Sequence, residues 1–234
     1  MAGFKTHITV SSLLGVGGGT AACMLYNVPW PTCALAAGLC GVAGMLPDID
    51  SDSGRPLHES LAFAAAVVPM MLLHRLRHWE VPHELVILAG AGAYLLVRFG
   101  LGFLLKHCTV HRGMFHSLPA AAIFGEIAFL LAPSDELGPK LFMAGAVVAG
   151  FLSHLLLDEI YSVDCRGLRL KKSFGTALKL WGHSGVAALT TYAALAVLSA
   201  VLILQPQWSW SQPAGALSGV RATAAHWIDS VFQR

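Results

Sequence analysis

Charge is what this chain has least of. Asp, Glu, Lys and Arg together make up 12% of its 234 residues, about half the ~25% of an ordinary soluble domain. An extensive water-facing surface is therefore excluded. A nucleic-acid surface is excluded too, because the net charge is only +2 and no basic patch is interleaved with aromatic residues. Paired cysteines are also missing. Cys23, Cys33, Cys40, Cys108 and Cys165 are odd in number and include no CxxC, so neither a disulfide framework nor a thiolate zinc site follows, and they read as small packing residues. Gly17-Gly18-Gly19 is not followed by Gly-Lys-Ser/Thr, as a phosphate-cradling loop requires. His183-Ser184-Gly185 has Val186 where a nucleophile elbow needs its last glycine. Ala21-Ala22-Cys23 has the look of a lipoprotein cleavage box, but Thr20 stands where such a box normally carries Leu, which argues against processing.

What is present is apolar. Hydrophobic residues make up 56% of the chain, its mean hydropathy is +0.65, and the apolar runs have membrane-spanning length. The expected fold is all-α: a polytopic helical membrane bundle with about seven membrane helices and a C-terminal interfacial amphipathic helix. The spans read as 8–26, 33–47, 58–74, 83–105, 114–132, 139–158 and 184–204. The second is short and ends at Pro47. One membrane domain over 1–205 is expected, followed by a segment over 206–234. In that segment Trp208 and Trp210 suit an interface, and Leu217, Val220, Ala224, Trp227, Ile228 and Val231 share a helical face.

Threading these runs back and forth places the N-terminus and loops 48–57, 106–113 and 159–183 on one side. That side receives ten of the fifteen Lys and Arg residues, so the positive-inside rule makes it cytoplasmic. Seven potential ligands from four places emerge on it: His7, Asp48, Asp50, His111, His116, His154 and Asp158. Carboxylates beside hydrocarbon are costly unless paired.

Each local pattern has its own logic. His154 and Asp158 are four residues apart, on one face of a helix. Asp48 and Asp50 follow Pro47, which breaks a helix, and in an extended segment they point the same way. His111-Arg112-Gly113 and His116-Ser117 flank a span entrance, where Ser117 suits a helix cap before Leu118 and Pro119. Arg112 offers a planar fork for phosphate oxygens. His58, Glu59 and Asp164 lie on the same side and suit the shell around the ligands. Taken singly, an HxxxD pair, an acidic turn or a surface histidine needs no function; their convergence on one side is what points to a metal.

The expected cofactor is a divalent metal, one or two ions. The mixture of imidazole and carboxylate favours Zn, with Mn or Fe as alternatives, over Mg or Ca. The metal ligands are His7, Asp50, His111, His116, His154 and Asp158, with Asp48 as general base and Arg112 stabilising negative charge on the substrate. The expected chemistry is hydrolysis by metal-activated water. Membrane lipids are the expected partners, a lipid or lipid-linked phosphoester the expected substrate, and no nucleic acid is expected. Oligomeric state is left open.

The elements His7, Pro47-Asp48-Ile49-Asp50, His111-Arg112-Gly113 through His116-Ser117, and Gly150-Phe151-Leu152-Ser153-His154 through Asp158 occur in this order over about residues 1–160. In this the chain resembles the YdjM-like family of bacterial inner-membrane metal-dependent hydrolases. The resemblance implies a multi-pass protein of the cell inner membrane with a metal-hydrolase site. More remotely, the chain is similar to zinc-dependent phospholipase C and P1-type nucleases, although it lacks their N-terminal Trp ligand and a second clear HxxxE/D. Two other readings compete. A divalent-ion or proton transporter needs polar groups at mid-depth in several spans and has no inverted repeat here to support it. A non-catalytic metal-stapled scaffold needs a closed site.

Overall fold

The computed structural model describes residues 3–50, 55–78, 81–103, 114–164, 169–170, 178–182 and 184–204. Seven α-helices account for most of them: α1 (Phe4–Tyr26), α2 (Trp30–Ala43), α3 (Arg55–His78), α4 (His83–Leu95), α5 (Leu118–Leu131), α6 (Leu137–Ile160) and α7 (Gly185–Ile203). A 3-10 segment, Leu46–Asp50, follows α2, and a π-helical segment, Leu96–Leu101, continues α4. Strand structure among the described residues is slight: an antiparallel pair two residues long, Val163–Asp164 with Arg169–Leu170, and a single parallel bridge between Ser117 and Lys179. The architecture is the expected all-α membrane bundle.

Among the described residues, five helical stretches have the length and composition of membrane spans: Phe4–Tyr26, Pro56–Leu73, His83–Leu101, Leu137–Ile160 and Gly185–Ile203. The other two, α2 and α5, have 14 residues each, which is about 21 Å against a ~30 Å hydrocarbon core. For α2 the shortness is that anticipated from Pro47. For α5 it is a revision, since the expected span began at residue 114. Ser117 sets the later start: extended at the N-cap, its Oγ accepts the Ala120 N–H at 3.3 Å, with Pro119 in the first turn. Residues 114–117 are thereby released from the helix and free to carry a ligand.

At the centre α6 packs against α1, α2 and α5, while α7 covers α5, and α3, paired with α4, leans on the 3-10 segment. Large apolar side chains point outward, among them Leu13, Met24, Ile87, Val186 and Leu189. This is expected of helices solvated by lipid, where small residues rather than a hydrophobic drive bring backbones together. Gly150 is the clearest case. A Cβ there would run into the carbonyl oxygen of Cys40, so only glycine lets α6 lie this close to α2. Across the adjoining α1–α2 contact, Ser11 Oγ donates to the Gly41 carbonyl at 2.8 Å and Cys40 Sγ donates to the Ser11 carbonyl at 3.4 Å. Cys33 and Cys40 are buried packing residues, as expected.

The positions whose placement is described stop short of several expectations. His111 and Arg112 lie outside the described residues, as does the 206–234 segment with its expected amphipathic helix.

Candidate metal centre

His7 lies in the first turn of α1, Asp48 in the 3-10 segment, His116 just before α5, and His154 and Asp158 one turn apart near the end of α6. These five side chains meet. His7 Nε2 is 3.2 Å from Asp158 Oδ1. His116 Nε2 is 3.2 Å from Asp48 Oδ1 and 3.9 Å from Asp158 Oδ2. His154 Nε2 is 3.6 Å from Asp48 Oδ1 and 3.7 Å from Asp158 Oδ2. The His7 and His154 rings stack, their centroids 3.6 Å apart.

One hydrogen bond decides the state of His154. Its Nδ1 is 2.7 Å from the Gly44 carbonyl, and a carbonyl only accepts, so Nδ1 carries the hydrogen. In the neutral ring Nε2 then presents a lone pair, and it faces two carboxylates without a hydrogen-bond partner. His116 Nε2 is likewise buried with no hydrogen-bond partner. Nitrogen and oxygen lone pairs aimed at one another repel, and a cation between them removes the repulsion. The spacing has the right size for this, because four ligands at 2.0–2.1 Å from one zinc stand about 3.3 Å apart. The Gly44 contact is also the customary outer-shell support that fixes the tautomer of a metal-binding histidine.

Among the described residues, two triads have donor atoms within 4.8 Å of one another: His7, His154 and Asp158, and Asp48, His116 and His154. His154 belongs to both. Its single available lone pair serves one ion, so the triads converge on one centre rather than standing as independent sites. A second ion beside His7 would have to share Asp158, whose two oxygens face different histidines.

The cluster is enclosed except at one point. The side chains of His7, His116, His154 and Asp158 are each 6% exposed or less, whereas that of Asp48 is 25% exposed. Burial pushes the Asp48 carboxyl up, but the neighbouring imidazoles of His116, His154 and His7 outweigh it, so it titrates below the ordinary carboxylate range. Asp48 is thus ionised and ready to ligate or accept a proton.

Five of the sequence candidates are therefore brought together. Asp50 closes the 3-10 segment, and its side chain is outside the described residues. The expectation of an extended segment over Asp48 and Asp50 is corrected: the backbone there is 3-10. The reason lies in Leu46–Asp50 tightening into a turn after α2. The described hydrogen bond of His58 is with Arg98, whose Nη2 donates to His58 Nε2 at 2.9 Å.

The family model described as YdjM inner membrane protein matches residues 1–204. The chain belongs to the YdjM inner membrane protein family. No curated protein and no solved structure matches this YdjM-family chain. The family's name is that of an inner membrane protein, in line with the apolar helices, and the match covers the whole His/Asp cluster.

Two groups escaped the sequence reading. The Gly44 carbonyl had no signal, since any backbone carbonyl looks alike in a sequence. Glu126 had one: an acid midway along an apolar run, which in a membrane marks a site by default.

Proposed function

We propose that this protein is a metal-dependent hydrolase working at the cytoplasmic edge of the inner membrane on a phosphoester of a lipid or lipid-linked molecule. The observation that carries this reading is the His154 Nε2 lone pair, fixed by Gly44 and held against two carboxylates that arrive from different segments. His116, His154 and Asp158 are the residues that would hold the ion, which leaves a position open for water, with His7 securing Asp158 from the other side. The imidazole–carboxylate set fits Zn best, with Mn or Fe next. Bound there, such an ion supplies Lewis acidity and makes a water nucleophilic near neutral pH. Asp48 is the group at the opening, ionised and positioned to take a proton from an incoming nucleophile. Arg112 and His111 complete the proposed set, Arg112 by binding the substrate's negative charge. The ten-to-five excess of basic residues on the cluster side supports the cytoplasmic orientation.

The burial of four cluster members favours a second reading, in which the ion only clamps helices together. One experiment separates the two. Purified protein in detergent is analysed for metal and assayed on a panel of phospholipids and aryl phosphates, beside His154→Ala and Asp158→Ala. Stoichiometric Zn, Mn or Fe in wild type, turnover, and loss of both in the variants are expected. Metal retained by both variants refutes the ligand assignment, and stoichiometric metal with no turnover on any ester decides for the clamp.

A further inference from the structure

On the other half of the bundle α5, α6 and α7 enclose a cleft of about 500 Å³, within the usual range for a small-molecule site. Its wall is apolar apart from two side chains, Glu126 and Ser199. Ser199 Oγ donates to Glu126 Oε1 at 2.6 Å. Glu126 Oε2 is buried and has no hydrogen-bond partner among the described residues. The cleft opens sideways, since Leu141 and Ile203 on its rim are 50% and 61% exposed. It is distinct from the metal centre: Val148, its nearest residue on α6, precedes His154 by six positions, or about 9 Å along the helix.

An oxygen left without a partner in hydrocarbon is expensive, and here it borders a space large enough for a ligand. We infer that this cleft binds a lipid carrying a free hydroxyl, with its chain along the apolar wall and its O–H on Glu126 Oε2. The hydroxyl is selected by chemistry. It donates to a carboxylate and accepts from a carboxylic acid, so it satisfies Glu126 in either protonation state. An ammonium serves only the carboxylate, and an alkane or ether chain cannot donate to it. Ser199 already occupies the other oxygen and so orients the one that remains. The apolar chain is selected by the wall, and entry from the side is selected by the exposed rim. This inference does not depend on hydrolysis at the metal centre.

Gly145 supplies a clean block. It lines the cleft, and a Cβ at this position meets nothing within 4 Å, so a leucine there fills the cleft rather than the packing. The full-length protein in lipid nanodiscs is photolabelled with a diazirine-bearing hexadecanol and with its methyl ether, and the labelled peptides are mapped by mass spectrometry. Labelling of the peptides holding Ala122 and Val148 is expected, with about a tenfold preference for the alcohol, the size of one good hydrogen bond. Glu126→Leu is expected to label equally with both probes, Ser199→Ala to show a reduced preference, and Gly145→Leu to label with neither. Folding of each variant is checked by its thermal transition and monodispersity. Equal labelling of wild type by alcohol and ether overturns the inference, as does alcohol labelling that persists in Gly145→Leu. Photoproducts joining the cleft to residues 205–234 or to a second copy of the chain, in place of the probe, also overturn it, because the cleft is then covered by protein.

Discussion

Replacing Gly150 with alanine tests whether close helix packing builds the metal centre. Gly150 is not a ligand, but it lies one turn before His154 on α6, against the Cys40 carbonyl of α2. An added Cβ must retreat from that oxygen to an ordinary contact distance, which moves α6 from α2 by roughly 1 Å, and overpacking of this kind costs about 1–3 kcal/mol. The same displacement acts on the His154 Nδ1–Gly44 hydrogen bond, now 2.7 Å. Lengthened by about 1 Å it is no longer a hydrogen bond. Loss of an outer-shell contact to a ligating histidine lowers metal affinity by about 10–100-fold. The expected outcome for Gly150→Ala is therefore a folded protein with a lower melting temperature and zinc affinity weakened by one to two powers of ten. Competition against a chromophoric chelator in detergent measures it. Gly145→Ala is the control, on the same helix but with open space around the new methyl group, and no change is expected. Wild-type affinity in folded Gly150→Ala, or an equal loss in the control, would refute the link between the glycine contact and the site.

Two further outcomes follow from the same geometry. Ser117→Ala removes the cap of α5, with an expected loss of about 1 kcal/mol; because His116 precedes it directly, metal affinity should fall with the melting temperature, and an unchanged affinity would show that the cap does not position His116. Asp48 gives a pH signature in metal-free protein. Its folded carboxyl titrates below the ordinary 3.8, so on acidification the unfolded chain takes up the proton first. The stability it contributes is complete at neutral pH, holds down to about pH 4, and is lost as pH falls through the folded value. Melting temperatures measured in chelator should show a steeper decline below about pH 4 in wild type than in Asp48→Asn, and parallel curves would contradict the assignment.

Much of the site was legible because a membrane narrows the choices. His154 and Asp158 sit four apart on a helix that the apolar run makes certain, so their shared face needed no tertiary knowledge. His7 and His116 were legible only as ends of runs on one side of the bilayer. The capping role of Ser117 was readable from Ser-Leu-Pro, whose residue types suit N-cap, first and second helical positions. The relation of Asp48 to Asp50 was not, because an extended strand and a 3-10 turn after proline both satisfy the local pattern, and packing chooses between them.

The amino-acid sequence by itself determined that this chain is a helical membrane bundle and which edge of it gathers imidazole and carboxylate. Hydrocarbon admits backbone only as hydrogen-bonded helix or closed barrel, and polar side chains collect where the helices end. The tertiary structure alone decided that His7, Asp48, His116, His154 and Asp158 meet in two triads that share His154, and that Gly44 orients His154. Those distances come from contacts between residues far apart in the chain, such as Gly150 on Cys40. No local spacing encodes how closely two helices approach.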